Sequence, residues 1–121
     1  MEVKTLQQHL FTLATLNETG EPVVSCYLNL EQGPAAYRGA LDARVELLRR
    51  SLPEPRRSQV AAAMEPIEAW LRAHPVNGSL GLALFSRAGD HPFFLPLGFR
   101  VPLPTSISVG STPNIYHLVE I

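Results

Sequence analysis

Apolar positions recur at helical spacing at the start of the chain. Leu6, Leu10, Leu13 and Leu16, with Phe11 beside them, predict a first helix over residues 3–16. Residues 17–22 then read as a turn, with Gly20 placed to end the helix. Residues 23–30 are rich in β-branched and aromatic side chains and predict a strand. Both of its pleat faces carry apolar residues, the pattern of a strand covered on both sides. Pro34 suits the first position of a second helix over residues 35–51. Tyr37, Leu41, Val45, Leu48 and Leu52 form its inner stripe, while Arg38 with Asp42 and Glu46 with Arg50 are four-residue pairs on its outer side.

Pro53 and Pro55 force a corner, after which Val60, Met64, Ile67, Trp70 and Leu71 continue a helical pattern to Ala73. Pro66 lies within that pattern and predicts a kink or a restart, because proline lacks the backbone donor and crowds the preceding turn. Pro75 and Gly78 close the element. The last third changes texture. Leu80, Leu82 and Leu84 alternate with small residues over a strand at 79–85, and a turn around Gly89 joins it to a strand at 93–99. Pro92 and Pro96 confine the latter to an edge or a bulge. A fourth strand follows at 105–109, and Thr112 with Pro113 suits the cap and first turn of a closing helix.

The order α-β-α-α-β-β-β implies an α+β two-layer sandwich, a mostly antiparallel four-stranded sheet with helices packed on it. At 121 residues and 13.3 kDa the chain is one domain. The apolar residues Tyr116, Leu118, Val119 and Ile121 run to the last position, where chain ends are usually polar. The C-terminal end is therefore read as a cut, or as a hinge into a further segment.

Composition narrows the class. With 45% hydrophobic and 17% charged residues, the chain is not disordered. No apolar run reaches the roughly 18 residues of a membrane span, and no signal peptide opens the sequence. A cytoplasmic protein without a membrane partner is expected. The lone Cys26 allows neither an intrachain disulfide nor a cysteine-based zinc site.

Candidate chemistry is sparse. His9, His74, His91 and His117 are widely separated and read as isolated histidines. Cys26 lies mid-strand in an apolar run and reads as a small, inert hydrophobe. Glu65 and Glu68 share a helical side, as solvated carboxylates commonly do. There is no glycine-rich phosphate loop and no nucleophile elbow, so no catalytic residue, cofactor or metal is expected.

Charge is informative in its distribution. The net charge is −1, yet nine of the ten basic residues are arginine. Arg49, Arg50, Arg56 and Arg57 crowd the corner between the two long helices. Arg49 and Arg50 suit a helix C-terminus. Arg56 and Arg57 are electrostatically misplaced at a helix N-terminus. Two readings follow: a solvated surface, or a contact for RNA phosphates. Four phosphate contacts would give a log–log salt slope of roughly three to four.

Several segments resemble one family. Residues 20–30 are similar to the opening strand of the N-terminal domain of archaeo-eukaryotic peptide-chain release factors, and closer to that of their bacterial relatives. The helices over 35–73, the hairpin 77–99 and the tail 101–113, which looks like the final strand leading into the hinge before a second domain, agree in order. The resemblance covers nearly the whole chain and rests on strand composition, glycine positions and prolines. It implies the first of three domains, with the handover to a second falling near Ile121. In true release factors an Asn-Ile-Lys-Ser loop at the helical corner and a Tyr-x-Cys motif on the last strand read the stop codon. Here the corner is Leu52-Pro53-Glu54-Pro55-Arg56-Arg57-Ser58, and the strand Thr105-Ser106-Ile107-Ser108-Val109 has neither Tyr nor Cys. These departures put stop-codon reading in doubt. The resemblance implies a non-catalytic module that binds the ribosome or RNA, in a termination-like, rescue or hibernation role. A protein-interaction or homodimerisation module is the alternative, motivated by Phe93, Phe94, Leu95, Leu97 and Phe99 on an edge strand.

Overall fold

The structure, a computed structural model, describes residues 2–74 and 78–120. The expected ends at Pro75 and Ile121, and the hairpin's start at Asn77, lie outside the described residues. The elements are α1 (Val3–Ala14), β1 (Val23–Asn29), α2 (Pro34–Ser51), α3 (Arg56–Ala73), β2 (Gly81–Arg87), β3 (Phe93–Phe99), β4 (Ser106–Gly110) and α4 (Tyr116–Val119). The fold is α+β with a four-stranded, fully antiparallel sheet in the order β3-β2-β1-β4. The element order matches expectation, and the proline-bearing β3 stands at an edge.

β1 occupies the centre because its sequence can be buried on both faces, and six of its seven residues are buried. Val24, Cys26 and Leu28, with Leu82 and Leu84 of β2, meet Tyr37 and Leu41 of α2 and Val60, Met64, Ile67 and Leu71 of α3. The opposite face presents Tyr27, Ala83, Phe85, Leu97 and Phe99 to Leu13 of α1 and Leu118 of α4. Gly81 is buried where the chain folds back over the start of β2. A Cβ there would lie 2.5 Å from the Val101 carbonyl oxygen and 2.8 Å from Leu103 Cγ.

Several local expectations are corrected. α3 runs through Pro66 without a restart. Pro66 and Ala62, whose carbonyl loses its donor, are both exposed, so water can satisfy the freed oxygen. α1 ends at Ala14, not near Gly20, and both the N–H and the hydroxyl of Thr15 donate to the Phe11 carbonyl. β2 lies two residues later than the leucine alternation suggests. Its end, Arg87, is buried, pairs with Phe93 across β3, and donates to the carbonyls of Asn17 (2.7 Å) and His91 (2.9 Å). Arg38 does not bond Asp42 but donates to the Leu71 carbonyl at 2.7 Å, tying α2 to the end of α3. The closing helix is not capped by Thr112. It begins at Tyr116, whose N–H is accepted by Asn114 Oδ1 at 3.1 Å.

Candidate nucleic-acid interface

The α2–α3 corner brings three of the four expected arginines together. Arg49, Arg50 and Arg57 line an open cleft of about 370 Å3 with Glu46. Arg56 is exposed at the same corner but does not line it.

Helical spacing explains the first half of the arrangement. Positions 46, 49 and 50 fall on one side of α2, so one carboxylate faces two guanidinium groups. Arg49 Nη2 donates to Glu46 Oε2 at 2.7 Å, and Arg50 Nε donates to Oε1 at 3.1 Å. Hydrogen bonds from Arg49 and then Arg50 hold the Glu46 carboxyl below the usual carboxylate range. The pairing remains wet, since 61% of the Arg49 side chain and 74% of Arg50 are exposed. Exposed pairs of this kind contribute little to stability and exchange readily for other partners.

Arg57 is held differently. Its Nε donates to the Leu52 carbonyl at 3.0 Å, closing the C-terminal end of α2 from the first turn of α3. Its apparent misplacement at a helix N-terminus is thereby resolved. Glu54 completes the answer: Ser58 donates to it through its backbone N–H at 2.8 Å and through its hydroxyl at 2.6 Å. Those bonds hold the Glu54 carboxyl below its ordinary range and put an acid at the N-terminus of α3, where the helix dipole favours it. Two carboxylates, Glu46 and Glu54, offset half of the four guanidinium charges at the corner.

A feature that the sequence did not announce adjoins this cleft. Between α2 and α3 lies a slot of about 150 Å3. Val45, Leu52, Val60, Ala61 and Met64 form its apolar walls, and Arg49 and Arg57 belong to both cavities. The signal was the α2 stripe itself, whose last members Val45 and Leu52 stay half-buried.

The remaining candidates are dispersed. Cys26 is fully buried, and burial pushes its thiol up to about 12, far from a reactive thiolate. His74 stacks on Trp70 at 4.6 Å, while His117 meets the edge of Tyr27 at 4.8 Å. Among the described residues, no three His, Cys, Asp or Glu side chains gather as a metal set. Among them too, no helix is long and apolar enough to cross a membrane. The apolar residues of β3 do not form a bare patch. Leu97 and Phe99 are buried, and Phe93, Phe94 and Leu95 are half-buried against the two cores. Exposed apolar side chains are found instead at Val101, Tyr116 and Val119 near the C-terminal end. No protein-family model matches the chain, and no curated protein is similar to it.

Proposed function

We propose that this domain is a non-catalytic RNA-binding module of the release-factor-like type, with the ribosome as its partner in the cytoplasm. The observation that carries the reading is the cleft at the α2–α3 corner, which Arg49, Arg50 and Arg57 line with Glu46, the partner of the first two only. Arginine forks match phosphate oxygens, and a wet ion pair is a weak competitor for them. Arg49, Arg50 and Arg57 form the phosphate contact, with Arg56 a peripheral charge. The expected salt slope falls accordingly to roughly two to three. Reading of the stop codon is not part of this proposal, because the corner and β4 lack the residues that perform it in release factors.

The test is co-sedimentation with bacterial ribosomes at low and moderate salt. Wild-type protein is expected to pellet in a salt-sensitive manner, and an Arg49→Ala/Arg50→Ala/Arg57→Ala variant to stay in the supernatant. Salt-independent pelleting, or pelleting unchanged in the variant, overturns it. A second reading, a protein-interaction or dimerisation surface, rests on exposed Val101, Tyr116 and Val119. Light scattering that finds only monomers at high concentration would remove the homodimer form of that reading.

A further inference from the structure

The cleft and the slot share Arg49 and Arg57, so a cationic surface opens directly onto an apolar one. On α3, Arg57, Val60, Ala61, Met64 and Glu68 recur on one side, and the slot therefore runs along the helix from a cationic end to an anionic end. Its floor is apolar, since Val60 and Met64 are buried there, while Ala61 at its rim is exposed. A phosphate alone would use the guanidinium groups and leave the slot empty. A ligand that fits both must carry an anion beside a compact flat group with apolar faces. A cavity of about 150 Å3 is the size that holds one benzene-sized ring.

We propose that the slot takes one unstacked base of single-stranded RNA, of pyrimidine size, while the adjoining phosphates sit on Arg49 and Arg57. Charge sets the polarity: the carboxylate of Glu68 at the far end repels phosphate, leaving the arginine end for the backbone. A base held in a duplex cannot enter, because its faces are stacked and its edge is paired. The domain is therefore selective for single strands, by shape and without an aromatic platform. This inference rests on the phosphate reading of the arginine corner.

The experiment measures the affinity of the 121-residue protein for three fluorescent probes at low salt. They are a short oligouridylate, an oligomer of the same length with abasic sugars, and an RNA duplex. Oligouridylate is expected to bind about tenfold tighter than either of the others, a difference of about 1.4 kcal/mol. Ala61→Leu, which narrows the slot from an exposed helical position, is expected to lower oligouridylate affinity to the abasic level and to leave abasic binding unchanged. Arg49→Ala/Arg57→Ala is expected to weaken all three. Equal wild-type affinity for oligouridylate and the abasic oligomer overturns the slot and leaves the arginine contact standing. Unchanged oligouridylate binding in Ala61→Leu does the same. No binding of any probe by folded wild-type protein overturns the arginine contact itself.

Discussion

The sheet face beneath α2 and α3 is sealed mainly by aliphatic side chains, whereas the face beneath α1 and α4 adds rings packed edge to face and directional hydrogen bonds. On the first face, Leu28, Leu82 and Leu84 meet Leu41, Met64 and Ile67. Its polar anchor is the Ser86 hydroxyl, which donates to the Ala63 carbonyl at 2.6 Å. On the second face, Tyr27 meets Phe85 edge-on at 5.9 Å and donates its hydroxyl to the Asn114 carbonyl. The Asn114 N–H in turn donates to Ser25 Oγ at 2.9 Å. Two helices of 18 residues cover the first face, and helices of 12 and four residues cover the second. Non-directional packing suits a permanent layer, because its free energy depends on area and close fit. A few hydrogen bonds suit a short segment that could not bury enough area to hold itself. The arginine corner belongs to the layer of the two long helices, so the proposed contact is carried by the face that is held by packing.

The comparison can be broken most severely at Ile67, which is fully buried in the aliphatic face. Ile67→Ala is expected to cost about 2–5 kcal/mol in urea unfolding. Alkaline pH probes the same face next. The Cys26 pKa rises from 9.0 to about 12 on folding. A raised folded pKa means that the unfolded chain loses its proton first. The associated stability is complete below pH 9 and is lost as pH rises toward 12. Between pH 8 and 10 wild-type protein should lose about 1.4 kcal/mol through this group, and Cys26→Ala should lose that much less.

The aromatic face is expected to yield less and more locally. Tyr27→Phe removes the donor to Asn114 and should cost about 1 kcal/mol. Amide exchange should accelerate at Leu118 and Val119, whose N–H groups donate to the Ile115 carbonyl, while β1 and β2 stay protected. The smallest effect is at the corner. Glu54→Gln should lower the thermal midpoint slightly at neutral pH. Because Glu54 is held below its ordinary 4.5, its contribution is present above that pH and fades as acid protonates it. The two proteins should therefore converge on acidification.

How much of this was legible in the sequence differs between the same two regions. The α2 stripe from Tyr37 to Leu52 is periodic and becomes the inward side of the helix, whereas the leucine alternation at 80–84 marks β2 but sets its start two residues early. Arg87 was unreadable for the opposite reason. A charged residue beside a glycine turn resembles the start of a loop, and the carbonyls of His91 and the distant Asn17 make its burial tolerable. The closing helix was misplaced because Thr112 and Asn114 both suit a turn, and the contacts of Asn114 with Ser25 and Tyr27 decide between them. At the corner, clustering of the arginines was visible. Division of labour among them was not, since Arg57 acts on the end of a helix that precedes it.

Gly81 shows how such a fold constrains its own history. The position has no side chain to contribute to any site, yet adding one carbon would strike the Val101 carbonyl and lift Leu103 out of the aromatic core. Drift at this codon is thus blocked by clearance between two stretches of main chain. In a set of diverged sequences an unvarying glycine here would mark a crossing of backbones, and should be discounted when invariance is used to search for a binding surface.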